Sequence, residues 1–143
     1  MQNPNELNND GILFAQNGDY KKAISCFKKA IEIKNDNPIF WLNLGITYRD
    51  FNKIDLAIEA TLQAHKLLVQ LFINNSELER ATDLCQKILA ADDKNSKTWN
   101  LLGIIYFKSE LYSKAQNCFE TALSIDAFFS EALFNLRDTY FEL

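Results

Sequence analysis

Histidine is almost missing from this chain of 143 residues. With His65 alone, no His-rich metal site can form, and any Cys–His or Ser–His pair would have to use that one imidazole. It stands mid-helix between Ala64 and Lys66 with no nucleophile motif beside it, and reads as an ordinary helix residue. Cysteine is scarce and odd in number: Cys26, Cys85 and Cys118 contain no C-x-x-C, which leaves free buried thiols as the expectation. The four glycines build no phosphate-cradling loop, since Asn17-Gly18-Asp19 is a turn and the other three fall in helices or at a helix start. No apolar run approaches the roughly 18 residues of a membrane span, and no basic start leads into an apolar stretch. Neither a span nor a signal peptide is expected, and cytoplasmic residence is the default. Carboxylates are plentiful, but they fall at turns and exposed faces. No catalytic site, cofactor or metal is therefore expected.

What the chain does have is apolar content, 48% of its residues, enough to bury one continuous core without a metal or disulfide staple. A single domain over residues 1–143 is expected. The net charge is −4, and it lies wholly in the second half: residues 1–71 carry 8 basic and 8 acidic side chains, residues 72–143 carry 7 and 11. Nucleic acid is a poor candidate partner for such a balance. The one basic cluster, Lys21, Lys22, Lys28, Lys29 and Lys34, reads as a solvated helix face.

The chain also repeats itself. Residues 23–48 lie on residues 81–106 without a gap at an offset of 58, setting Trp41 on Trp99, Gly45 on Gly103 and Tyr48 on Tyr106. Gly11 to Gly45, Ala23 to Ala57 and Ala81 to Ala115 are each 34 apart, so 58 is two repeats less 10 residues (68 − 10). Apolar residues recur at three-and-four spacing in FWLNLGITY, ATDLCQKILA and ALFNLRDTYF, and no segment sustains a period of two. Turn residues cluster at 17–19, 35–38, 74–76 and 92–96. The helices between them, about 12 to 15 residues each, are too short to stand alone and must pack as antiparallel hairpins. Gly45 and Gly103 inside helices cost about 1 kcal/mol each relative to alanine, which close approach of the paired helix offsets. Ala23, Ala57, Ala81 and Ala115 are expected to face them, with Trp41, Trp99, Tyr48, Tyr106, Phe27 and Phe119 filling the space between hairpins.

The unit W-x-x-L-G-x-x-Y followed by A-x-x-x-F-x-x-A, as in WLNLGITY and AQNCFETA, resembles the tetratricopeptide repeat family. The resemblance implies an all-α, right-handed array of helical hairpins, with repeats at 4–37, 38–71, a compressed 62–95, 96–129, and a terminal helix from Ser130. It also implies that the first helix of each repeat lines a concave groove. That rule picks out Asn9 and Ile12, then Leu42, Asn43, Ile46, Arg49 and Asp50, then Lys97, Asn100, Leu101, Ile104, Phe107 and Lys108, and finally Glu131, Phe134, Asn135 and Asp138. The expected protein-binding set is Asn9, Asn43, Ile46, Arg49, Asp50, Asn100, Ile104, Phe107, Lys108 and Asn135. Asparagine amides both donate and accept, which suits the backbone of an extended peptide. The carboxylate clamp of the family's co-chaperones is not expected, because Asn8 and Ile12 stand where its first Lys and Asn belong. An asparagine ladder is matched by Asn9, Asn43 and Asn135 but broken by Leu67 and Leu101.

The compressed repeat departs from the family. Residues 55–72 contain no Gly, Pro, Asn or Ser, so one helix from about Ile54 to Ile73, roughly 30 Å long, is expected to replace two shorter ones. The function that follows is a non-enzymatic adaptor or scaffold binding a protein segment in its groove. Alternatives are a regulatory or targeting subunit of an enzyme, such as a glycosyl- or methyltransferase, and a chaperone for a secreted protein. A homodimer through the long helix or the terminal helix, where Phe134, Leu136, Tyr140, Phe141 and Leu143 have no following repeat, stands against a capped monomer.

Overall fold

The computed structural model describes residues 2–143 as eight helices with no strand among them: α1 (Pro4–Gln16), α2 (Tyr20–Ile33), α3 (Pro38–Asp50), α4 (Ile54–Asn74), α5 (Leu78–Ala91), α6 (Ser96–Lys108), α7 (Tyr112–Ile125) and α8 (Ser130–Glu142). Local chemistry starts several of them. Asn3 and Asn37 each accept from a backbone N–H two residues on, ahead of Pro4 and Pro38 at the first helical position, and Asp19 and Asn95 cap α2 and α6. The helix α4 is continuous over 21 residues, where the sequence holds no breaker. It is also long and apolar enough, by length and composition only, to cross a bilayer. Ala57, Ala60, Ala64, Val69 and Ile73 along it are buried, while Ile54, Leu56, Ile58 and Leu71 are exposed.

Two compact units make up the chain, residues 1–67 and 68–143, and the division falls inside α4. In the first, α1 packs on α2, α2 on α3, and Leu7, Ala23, Phe27, Phe40, Leu44, Tyr48, Ala57 and Ala60 form the core. In the second, α5 packs on α6, α6 on α7 and α7 on α8, with Ala81, Cys85, Leu102, Ile105, Ala115, Phe119, Ala122 and Ala132 buried. Burial pushes the Cys85 thiol up to about 12 and the Cys118 thiol up to about 11, so both are inert packing groups. On α8, Phe134, Tyr140 and Phe141 remain exposed, Phe141 at 81%, as does Leu143 just after it.

Helix pairs meet where the glycines are, at Gly45 partly on the expected Ala57 and at Gly11 and Gly103 on an aromatic ring instead. A Cβ added at Gly11 would come within 2.7 Å of the Phe27 ring, and one at Gly103 within 2.5 Å of the Phe119 ring. Gly45 meets the Thr61 hydroxyl and the Ala57 carbonyl. The alanines expected there, Ala23 and Ala115, are fully buried, while the aromatic ring supplies the bulk that the glycine gives up. At the matching positions of the compressed repeat the sizes are exchanged: Val69 stands for the glycine and Cys85 for the ring, both fully buried.

The turn inside each hairpin has one recurrent geometry. Gly18, Asn52, Ser76 and Glu110 all hold left-handed backbone, with φ of 77°, 59°, 61° and 60°. The residue after each donates its N–H back over the last helical turn, as Asp19 does to the Phe14 carbonyl and Leu111 to the Tyr106 carbonyl, both at 2.9 Å. Only the first of the four is glycine, the residue without a Cβ penalty there.

Two outcomes follow. Gly103→Val is expected to lose stability by about 1–3 kcal/mol through overpacking, and Gly103→Val with Phe119→Cys to lose less than the two single changes summed; urea unfolding of all four proteins checks this. Glu110→Gly is expected to raise the unfolding free energy by about 0.5–1 kcal/mol, because the strain of a side chain in left-handed backbone outweighs the entropy glycine adds to the unfolded chain. A melting temperature that falls would contradict it.

Candidate functional site

In the first compact unit the exposed edge of α1 and α3 is set by a pair of amides. The Asn43 side-chain N–H donates to the Asn8 Oδ1 at 2.9 Å, and Thr47 Oγ1 donates to the Asn43 carbonyl at 2.8 Å. Asn8 is buried, whereas Asn9, one step of about 100° around the helix, is exposed. The pairing therefore uses Asn8 where the ladder rule pointed to Asn9. Ile46 is exposed on the same helix as Asn43. Arg49 and Asp50 bind one another, with Arg49 Nε and Nη2 at 3.2 and 3.1 Å from Asp50 Oδ1, an exposed pair of small energetic weight.

The second unit repeats this at an offset of 92 residues (100 − 8 and 135 − 43). Asn135 donates to Asn100 Oδ1 at 2.9 Å, Asn100 donates to Glu131 Oε1 at 3.1 Å, and Thr139 Oγ1 donates to the Asn135 carbonyl at 2.7 Å. Asn100 is only 2% exposed. Its amide is thus spent in orienting Asn135 and Glu131 rather than offered to a ligand. Asn135 keeps its own Oδ1 on a half-buried side chain, at the edge of a recess of about 340 Å³.

That recess lies between α6 and α8, and it gathers four of the expected residues: Ile104, Phe107, Lys108 and Asn135. Glu110, Tyr112, Phe119 and Asp138 complete it. Tyr112 stands edge-on to Phe107, ring centres 5.3 Å apart, and stiffens the apolar wall. Partial burial, then the carboxylates of Glu142 and Glu110, push the Tyr112 phenol above its ordinary range, so it stays protonated and can donate. Asp138 is held by Arg137, whose Nη2 lies 2.7 Å away and whose guanidinium sits 5.3 Å from the Phe134 ring centre. Lys108 has no ion pair among the described residues. The surface thus offers an apolar wall, an amide acceptor, a phenol, one ammonium and the carboxylates of Glu110 and Asp138. His65, outside it on α4, is held below its ordinary range by burial.

The expected set divides by compact unit, with Asn9, Asn43, Ile46, Arg49 and Asp50 in the first and the other five in the second. Asn8, Glu110 and Tyr112 were not in it. Asn8 had a visible signal, since it precedes Asn43 by the same 35 residues by which Asn100 precedes Asn135. Glu110 and Tyr112 had none, because Glu110 lies in the turn between α6 and α7 and Tyr112 opens α7, a second helix that the first-helix rule leaves out.

Residues 11–50 match the family described as TPR repeat, and residues 49–133, more than half of the chain, match the Tetratricopeptide repeat protein 21 C-terminal ARM domain. The chain belongs to the tetratricopeptide repeat family. Among its relatives, a TPR repeat-containing protein of Methanocaldococcus jannaschii is 43% identical over 54 residues, covering 38% of this chain and 10% of the relative. The peroxisomal targeting signal receptor of Candida albicans is 37% identical over 57 residues, covering 40% and 10%. The tetratricopeptide repeat-containing protein trd-1 of Caenorhabditis elegans is 26% identical over 137 residues, covering 92% and 18%. The chain thus spans a small part of the length of each. Among solved structures, MamA matches with a TM-score of 0.57 at 22% identity, covering 97% of this chain and 81% of that one. YrrB, described as a TPR protein with an unusual peptide-binding site, matches with a TM-score of 0.53 at 16% identity, covering 94% and 74%. Both show the same helical-repeat fold.

Removing the buried member of the amide chain tests its role in this tetratricopeptide surface. Asn100→Ala is expected to cost about 1–3 kcal/mol, and Asn100→Ala with Asn135→Ala less than the sum, by urea unfolding. Strict additivity would mean that the two amides do not act together.

Proposed function

We propose that this chain is an adaptor that holds a protein segment in extended form against the first helices of its repeats, with the recess between α6 and α8 as the principal seat. The observation that carries the reading is the convergence of Ile104, Phe107, Lys108 and Asn135 on one recess of about 340 Å³, next to an asparagine whose orientation is fixed from behind by Asn100. An apolar anchor of the segment would fill the wall of Ile104 and Phe107, and a backbone N–H would reach Asn135 Oδ1. Support in kind comes from YrrB, with its peptide-binding site, and from the targeting signal receptors, which share part of this sequence. The Asn8–Asn43 edge of the first unit offers the same acceptor geometry with fewer walls.

Selection of linear peptides from a random library against the intact chain tests the reading. Binders are expected to lose about tenfold or more in affinity on Ile104→Glu, and less on Asn135→Ala, with the helical circular dichroism unchanged. Peptides indifferent to both changes, or binding only by a folded partner, would overturn it.

A further inference from the structure

One contact recurs along the chain at a fixed spacing of eight residues. Lys22 lies over the Phe14 ring at 5.4 Å, Arg80 over Phe72 at 4.4 Å, and Lys114 over Tyr106 at 5.5 Å. In each, a basic residue on the second helix of a hairpin covers an aromatic residue near the end of the first. The hairpin of α3 and α4 departs from this. Its aromatic is Tyr48, and eight residues on stands Leu56, which carries no charge. Lys53 of the same hairpin lies over Phe51 instead.

Tyr48 is 7% exposed and lines a recess on that side of the hairpin. The recess, of about 340 Å³ in the first compact unit, has Trp41, Tyr48 and Leu56 in its walls, with Glu32, Glu59 and Lys28 among its lining residues. Two carboxylates face one ammonium there, a net charge of −1, and none of the three forms an ion pair among the described residues. The corresponding positions of the second unit, 58 further on, differ where the charge matters: Glu32 becomes Ala90, Glu59 becomes Asn117 and Leu56 becomes Lys114. Trp41 and Trp99 keep the same task in both, donating Nε1–H to the carbonyls of Asn35 and Asp93. The scaffold is therefore common to both places. The acids and the vacancy for a cation belong to the first alone.

We propose that this recess receives the side chain of a lysine or arginine from a protein partner. The cationic head would sit at the Tyr48 face between Glu32 and Glu59, as Lys114 does at Tyr106, with its methylene stem along Leu56 and Trp41. This seat lies on a different face of α3 from Asn43, so it is separate from the groove proposed above. It supplies a second point of attachment rather than a part of the first.

The chain's two tryptophans make the test direct, because each gives one indole N–H signal in a proton–nitrogen NMR spectrum. An acetylated, amidated leucine–arginine–leucine tripeptide is expected to shift the Trp41 signal saturably and leave Trp99 in place. The same tripeptide with norleucine for arginine is expected to do neither. Glu59→Gln should weaken the arginine peptide by roughly twofold to fivefold, and Leu56→Lys, which restores the internal cation, should abolish the shift. Leu56→Met should retain it, and Ile104→Glu, which breaks the groove, should not affect it. No saturable shift at Trp41, equal binding of the norleucine peptide, or full binding by Leu56→Lys would each overturn the proposal. If Leu56→Lys does not fold, Glu59→Gln and the norleucine peptide still decide it.

Discussion

The exchange of bulk across each helix hairpin is the constraint on which the rest of this structure depends. A glycine on one helix admits a phenyl ring from the next at Gly11 and Phe27 and again at Gly103 and Phe119, so close that no Cβ fits between. Where the glycine faces Thr61 the ring is gone, and the helix backbones themselves come near, as the Ala57 carbonyl shows. Where Val69 takes the glycine's place, Cys85 takes the ring's. Side-chain identity varies from repeat to repeat. The bulk of the pair sets how closely the two helices of a hairpin approach. Everything functional rides on that spacing, because it fixes how the first helices of successive repeats stand beside one another within a compact unit, and so whether Asn43 can reach Asn8 and Asn135 can reach Asn100.

Much of the fold could be read from the sequence because its signals are local and repeated. The 34-residue period, the turn cluster ending at Pro38 and the unbroken stretch from Asp55 to Phe72 are each visible along the chain without any knowledge of its packing. What the period could not convey was which atom meets which. Alanine was expected opposite the glycines because small faces small in a simple helix pair, yet the ring of Phe27 reaches across from a neighbouring turn of the same helix. The left-handed turns at Asn52 and Glu110 likewise carry no glycine to announce them, and their geometry is imposed by the hairpin around them.

The candidate site was legible to a similar depth. The first-helix rule implied by the family resemblance picked out Ile104, Phe107 and Lys108 on α6 and Asn135 on α8, and all four line one recess. Such a rule treats every asparagine it reaches as equal. In three dimensions one of each pair is turned inward as a support, Asn8 and Asn100, and the other outward, Asn43 and Asn135. The choice between them depends on the height of the neighbouring helix, which no single helix encodes. Glu110 enters from a turn and Tyr112 from the first position of α7, and neither lies on a first helix.

The long helix α4 has a thermodynamic side as well as a geometric one. It gives Ala57 and Ala60 to the core of the first compact unit, and Val69 and Ile73, within the second, are buried as well. Repeat arrays melt piecemeal when each piece carries its own helices, since their stability is a sum of local terms and neighbour terms. Because the division between the two units falls inside α4, no loop marks it, and any boundary between pieces that melt at different temperatures has to run through hydrogen-bonded helix.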